Sequence, residues 1–570
     1  MTDPNLLLSL LSDIYGSETA NPLWAELRLR LEQFRLATPP RARRRLSAAD
    51  AMLISYGDQL SQPGILPLES LADFCQQHLG GLVTCLHILP FYPSSSDDGF
   101  SVKNYRQVDP GLGSWDEITR LGVDFRLMFD AVINHVSAQG EWFQAFLRGE
   151  PPYKDYFITV TGSPDLARVV RPRALPLLTH FSGQAVWTTF SADQVDLNYA
   201  NPRVLLEVLD LLLFYAARGA EFIRLDAIAY LWKQPGTGCI HLPQTHRIIQ
   251  VMRAVLDEAA PQVRLITETN VPHADNMSYF GDGSNEAQLV YNFALPPLLL
   301  HTLQTADASA LSAWAACLRL PSAEVTFFNF LASHDGIGLN PVRGILADEA
   351  IDALVQRCLA HQGLVSTKQN PDGSQSPYEL NINYFDALSD PRSSETLSLQ
   401  IGRFMAAQAI LLALQGLPGI YFHSLFGSRG WQPGPALTGS RRSINRQKLD
   451  RLSLERELAA SQAQDSLPQA VFQRYTALLR ARSANPAFDP FGSQSILDCG
   501  RSIFGLVRGG APSAGVLCFQ NISPVAQQLV LDPRRLPGHL GRNLLSGASA
   551  PDAEALQLGP YETLWLALEP

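Results

Sequence analysis

Eight short apolar runs, spaced by longer amphipathic stretches, constrain this 570-residue chain more than any other feature. They lie at 51–56, 82–91, 124–130, 221–226, 264–268, 288–293, 326–333 and 416–422. Each is too short for a stable helix and too apolar for a surface segment, which is the pattern of a strand buried on both faces. Between them, stretches such as 204–217 and 244–259 carry apolar residues at helical spacing. Eight strands alternating with helices predict an α/β fold, a (β/α)8 TIM barrel. Three of the runs deliver an acid where they stop: E-F-I-R-L-D at Asp226, V-R-L-I-T-E at Glu268 and F-F-N-F-L-A-S-H-D at Asp335. In a parallel barrel all strand C-termini open onto one face, where active sites sit. The three carboxylates are therefore expected in one pocket, where burial and neighbouring charge can move their pKa values.

The remaining segments attach to this barrel, expected over 47–137 and 200–484. Residues 1–46 form an N-terminal helical extension in this reading, with Leu6, Leu7, Leu10 and Leu11, then Leu23, Leu27, Leu31 and Phe34 at helical spacing, ended by Pro39–Pro40. Residues 138–199 are turn-rich and too many for a plain strand-to-helix loop, so an inserted excursion domain over the pocket is expected. From 485 to 570 short alternating segments with Gly and Pro turns (S-I-F-G-L-V-R, G-V-L-C-F-Q-N, E-T-L-W-L-A-L) predict a C-terminal β-sandwich domain.

Composition mainly excludes. A net charge of −10 disfavours nucleic acid as a partner. The one basic cluster, R-A-R-R-R at 41–45, reads as a solvated linker. The seven cysteines are scattered and include no C-x-x-C pair, which points to reduced thiols, a cytoplasmic setting and no structural zinc. The apolar N-terminal patch lacks a basic flank and reads as a short helix rather than a signal peptide. No stretch is long and apolar enough to predict a membrane span.

The pair Asp226 and Glu268 suits a retaining reaction at a sugar, which needs one carboxylate as nucleophile and another as acid/base. Arg224 lies two residues before Asp226 on the same strand face and can keep it ionised. Ile266, likewise on the face of Glu268, offers the apolar surroundings that keep an acid protonated. Asp335 and His334 can grip sugar hydroxyls.

Four ordered segments, D-A-V-I-N-H (130–135), R-L-D-A-I (224–228), T-E (267–268) and S-H-D (333–335), resemble the motifs of the α-amylase superfamily, glycoside hydrolase family 13. The resemblance implies that Asp226 is the nucleophile, Glu268 the acid/base and Asp335 the transition-state stabiliser, with His135, Arg224 and His334 binding the glucosyl unit. Further segments are similar to the sucrose phosphorylase branch: H-I-L-P-F-Y-P (87–93), D-D-G-F (97–100), L-G-S-W (112–115), Q-V-D (194–196), F-A-L-P-P-L-L-L-H (293–301), H-D-G-I-G (334–338) and I-N-R (444–446). That branch implies that Asp97 and Arg446 pair and close the pocket beyond one glucosyl unit. It also implies that Phe100 and Phe190 clamp the sugar, and that Gln194, Tyr230 and Asn270 line its site. V-R-P-R (170–173) resembles the branch's Y-R-P-R, which makes Arg173 the candidate for binding phosphate. The expected partners are a small α-glucoside and inorganic phosphate, with a homodimer as the implied assembly and no cofactor. Asn134 stands where many amylases hold calcium, but one amide cannot make a site of six to eight oxygens, so no metal is expected.

The sequence departs from the sucrose pattern. Asn270 stands where that pattern has His, L-N-P-V-R follows H-D-G-I-G, and the N-terminal extension is longer. Segments 94–102, 268–273, 423–429 and 443–450 are more similar to glucosylglycerate phosphorylases of the same branch. A glycerate carboxylate calls for a cation, for which Arg343 and Arg429 are the candidates. The alternatives are a sucrose, sucrose 6'-phosphate or glucosylglycerol phosphorylase, and an α-glucosidase or transglucosidase, distinguished by product. A non-catalytic sugar-binding scaffold is the alternative of another class, against which the three retained carboxylates stand.

Overall fold

The computed structural model describes residues 5–39, 41–370, 372–460, 466–509, 515–531, 538–549 and 556–569. Each of the eight apolar runs contains, to within one residue of overhang, one strand of a closed parallel barrel: Met52–Ser55, Cys85–Ile88, Arg126–Ala131, Ala220–Leu225, Arg264–Thr267, Leu289–Tyr291, Thr326–Phe330 and Leu417–Tyr421. Strand neighbours follow chain order, and the first pairs with the eighth in register Met52 to Gly419. The barrel interior admits little beyond side chains. A Cβ built on Gly419 would lie 2.3 Å from the Phe328 ring, so only glycine lets that ring fill the centre. The helices Pro202–Ala217 and Pro243–Ala259 bury their apolar stripes on the barrel and begin with Pro at the first turn, where a missing N–H costs nothing.

Helices Leu6–Tyr15 and Ser17–Ala37 form the expected N-terminal extension and pack on those two barrel helices. Helix stops at Ala37, while 41–46 has no regular secondary structure and Pro40 lies outside the described residues. The segment 41–45 is an exposed linker that also makes ion pairs. Arg43 donates to Asp257 at 2.6 Å, Arg44 pairs with Glu221, and Arg45 lies 3.2 Å from Asp489. The segment is an exposed strap across the barrel base, drawn there by carboxylates that sequence spacing does not reveal.

Within 138–199 the chain makes helix Glu141–Leu147 and a three-stranded antiparallel sheet of Thr159–Val160, Gln184–Trp187 and Leu178–Phe181. Strand Gln194–Asp196 then pairs with His135–Ser137, which returns the segment to the mouth of the barrel. A second insertion was not foreseen. Leu364–Gln369 and Gln375–Asn381 form a hairpin that adds to Ile337–Gly338, just after Asp335. A β-bridge between Arg171 and Gln369 joins the two insertions over the pocket.

The C-terminal part is a five-stranded antiparallel sheet facing the pair Gln527–Leu529 and Leu556–Leu558, with Leu517, Phe519, Leu529, Leu558 and Leu566 between them. Two buried arginines fasten it to the barrel through carbonyls. Arg508 donates to Ala413 O of the barrel at 2.8 Å, and Arg482, on the helix Leu467–Ser483, donates both to Asp50 O at 2.9 Å and to Phe488 O at 3.3 Å. Among the described residues no helix is long and apolar enough to cross a membrane.

Candidate active site

The carboxylates meet where the strands end. Asp226 follows the fourth strand, Glu268 follows the fifth, and Asp335 lies five residues past the seventh; all three line one cavity of about 680 Å3 including its mouth. Arg224, 1% exposed, organises them. Its Nη1 donates to Asp226 Oδ1 at 2.8 Å and to Asp130 Oδ1 at 2.5 Å, while its Nη2 stands 3.9 Å from Glu268 Oε1. The Phe100 and Tyr291 rings lie beside the guanidinium, with centroids at 5.7 and 5.4 Å, and hold it in a low-dielectric wall. Glu268 Oε2 accepts the Ala227 N–H at 3.0 Å, a bond made available by the left-handed Ala227 backbone (φ 49°).

Burial pushes the Asp226 carboxyl well above its ordinary range; Arg224 opposes this and Glu268 adds to it. Burial also raises Glu268, again opposed by Arg224. Two buried acids facing one another retain a proton between them. The guanidinium hydrogen-bonds Asp226 at 2.8 Å and stands 3.9 Å from Glu268, an arrangement that favours the charge on Asp226. Asp335 differs. Burial raises it, but Arg442, then Arg224, Arg446 and Arg173, outweigh burial and hold it low. His334 is driven well down by burial and by those arginines, and His135 down mainly by burial, so both are neutral imidazoles.

The other sequence candidates gather around this centre. The Phe100 ring stacks on His334 with centroids 4.5 Å apart. Phe190 packs against His135 and meets Tyr230 edge-on. His135 Nε2 donates to Phe100 O at 3.0 Å, and Gln194 Nε2 donates to the same carbonyl at 3.1 Å. Asn270 and Arg173 line the cavity on the side of Tyr378. Arg446 pairs with two neighbouring acids: its Nη1 lies 3.5 Å from Asp97 and 2.6 Å from Asp98. Consecutive left-handed backbones at Asp97 and Asp98 (φ 52° and 48°) turn both carboxylates toward the one guanidinium, and Asp98 reaches closer.

Buried polar atoms without hydrogen-bond partners cluster here. They are Asn270 Oδ1, His334 Nδ1, Arg446 Nη2, Arg224 Nε and Asp335 Oδ1, the last charge-paired with Arg442 but misaligned for a hydrogen bond. Each such atom costs about 1–3 kcal/mol when left unmet. A polyhydroxy ligand would satisfy them.

Sequence reasoning missed Arg442, Glu379 and Tyr378, all on the cavity wall. Arg442 pairs with Asp335 and donates to Glu379 from Nη2 at 2.6 Å and from Nε at 2.9 Å. It also missed Lys233, whose Nζ donates to Asn134 at 2.7 Å and lies 2.6 Å from Asp196. The candidates for a carboxylate-binding cation are corrected. Arg429 is held by Asp386 at 2.8 Å and Arg343 lies 3.7 Å from Asp348, and neither lines the cavity. The glycines of H-D-G-I-G were a usable signal. A Cβ on Gly338 would lie 2.4 Å from Asn270 Oδ1, and one on Gly336 2.6 Å from Glu379 Cγ. Gly338→Ala should therefore push Asn270 aside and raise the acceptor KM about tenfold while Tm falls by only a few degrees, as read by kinetics beside calorimetry.

Comparison with known proteins agrees with this geometry. The family described as "Alpha amylase, catalytic domain" matches residues 77–335. A glucosylglycerate phosphorylase of Spirochaeta thermophila is 48% identical over 578 residues, covering 98% of this chain and 97% of the relative. The chain belongs to the α-amylase superfamily, in its phosphorylase branch. The sucrose phosphorylases and sucrose 6F-phosphate phosphorylases are less similar. A sucrose phosphorylase of Agrobacterium vitis is 30% identical over 464 residues, covering 77% of this chain and 88% of the relative. The crystal structure of a sucrose 6F-phosphate phosphorylase from Thermoanaerobacter thermosaccharolyticum shares the fold, with a TM-score of 0.72 at 24% identity over 83% of this chain and 94% of that one.

Proposed function

We propose that this protein is a retaining α-glucoside phosphorylase that transfers one glucosyl unit from glucosylglycerate to inorganic phosphate, giving α-glucose 1-phosphate. The observation that carries the reading is Arg173. It lines the same cavity as Asp226 and Glu268, and among the described residues it makes no ion pair with a carboxylate. A guanidinium that no carboxylate grips directly, beside an acid/base pair, suits an anionic acceptor. The name of the 48% identical relative supports the same substrate.

In the first step an Asp226 oxygen bonds to the anomeric carbon as the bond to the glycerate oxygen breaks, and Glu268 gives its proton to that oxygen. Asp335, held ionised, steadies the positive charge that develops on the ring. Glycerate leaves and phosphate enters beside Arg173. A phosphate oxygen then bonds to the anomeric carbon, its proton passes to Glu268, and Asp226 departs as carboxylate. Asp97 and Asp98 with Arg446 close the far end, so a single glucosyl unit fits.

Two inversions restore the starting anomer. Proton NMR of the first product from glucosylglycerate and phosphate should therefore show α-glucose 1-phosphate; a β product would exclude the double displacement, and free glucose alone would make the enzyme a hydrolase. Arg173→Ala should lower the ratio of phosphorolysis to hydrolysis roughly tenfold or more, because water needs no cation and charge-assisted bonds contribute about 1.5–3 kcal/mol. An unchanged ratio would assign Arg173 to structure.

A further inference from the structure

Arg442 is gripped unequally by its two carboxylates. Its Nε and Nη2 edge makes a bidentate pair with Glu379, while Nη1 has only a misaligned charge contact with Asp335. Glu379 is fully buried and fixed in place. Its backbone pairs with Gly338 in the sheet that follows Asp335, and Gly336 presses on its side chain too closely for any Cβ. A glucosyl unit in the site needs the Asp335 oxygens for its hydroxyls. Such hydroxyls compete with Nη1 for the same carboxylate, whereas the bidentate grip on Glu379 is untouched. The Nη1 edge then faces the cavity that Arg173 and Tyr378 also line, and both guanidiniums act on the Tyr378 hydroxyl and on Asp335.

We infer that Arg442 is the second guanidinium of the acceptor-anion subsite, and that Glu379 is the positioning residue that holds it there. The inference rests on the phosphorylase reading above. It makes anion binding follow glucosyl binding. In the empty enzyme Arg442 is engaged with Asp335, and only a seated sugar releases it to join Arg173 on a phosphate or a carboxylate. A neutral acceptor gains nothing from this release.

The test compares acceptors of one size and different charge. With α-glucose 1-phosphate as donor, kcat/KM is measured for glycerate and for glycerol in the wild type, Arg442→Lys, Glu379→Gln and Glu379→Asp. The ratio of the two cancels any shared damage to the glucosyl site. Arg442→Lys should lower the glycerate-to-glycerol ratio roughly tenfold, since an ammonium cannot keep the bidentate pair and reach the anion. Glu379→Gln should lower it about fivefold, because Arg442 then stays with its one remaining carboxylate, and Glu379→Asp should recover part of the loss. If both acceptors fall in proportion in Arg442→Lys and Glu379→Gln, the two residues serve only the glucosyl side and the inference is overturned. Should Arg442→Lys not fold, the Glu379→Gln ratio decides alone. Failure of the underlying reading looks different: the wild type itself would make no glucose 1-phosphate from glucosylglycerate and phosphate.

Discussion

Asp226→Asn is expected to lower phosphorolysis at least about 10³-fold while the protein folds normally. An amide oxygen can still accept from Arg224, whose second bond to Asp130 remains, so the buried ion network keeps its shape. What is lost is the oxygen that forms the glucosyl ester, together with the charge that faces the developing cation. No neighbour can substitute. In the proposed mechanism Glu268 serves as the acid/base and Asp335 meets the sugar hydroxyls. Thermal unfolding and single-turnover kinetics on the same preparation read the two halves of this expectation. A variant that retained a tenth of wild-type turnover with no wild-type contamination would move the nucleophile elsewhere.

Glycerate should outperform fructose as acceptor from α-glucose 1-phosphate by about 10²-fold or more in kcat/KM. The acceptor side of the cavity presents Arg173, and near it the unpartnered Asn270 Oδ1, where the sucrose pattern carries an imidazole. A carboxylate meets that cation directly. Fructose offers this half-buried cation no negative charge. Glycerol, with hydroxyls but no charge, should fall between. Higher kcat/KM with fructose would make this a sucrose-type enzyme with an unusual loop and would remove the role given to Asn270.

The barrel was legible because burial on both faces writes itself as unbroken apolar runs, and all eight runs hold a strand. Their ends were less legible. The run at 82–91 pairs only over Cys85–Ile88, since Pro90 and Pro93 cannot donate to a ladder and the apolar residues around them pack as loop. Likewise Leu331 and Ala332 leave the sheet so that His334 and Asp335 can reach the pocket. The three catalytic candidates were visible because strand ends place them. Glu379 was hidden for the opposite reason. Its hairpin, S-T-K-Q followed by Q-S-P-Y-E-L-N, is polar and half-buried and shows neither period clearly, and its partner Arg442 comes 63 residues later. Charge pairs of that reach have no signature in one dimension. Arg343 and Arg429 show the converse error: each looked available in sequence and is engaged elsewhere by a carboxylate that spacing alone did not reveal.

Lys233 settles how this enzyme should meet changes in its surroundings. Its ammonium group sits among Asn134 Oδ1, Asp196 Oδ2 and the Tyr230 carbonyl, where it joins the strand carrying Gln194 to the loop before His135. A positive charge tethered by four methylenes cannot be stripped by a chelator, diluted out or exchanged for a competing ion. The mouth of the barrel thereby carries a cross-link synthesised with the chain.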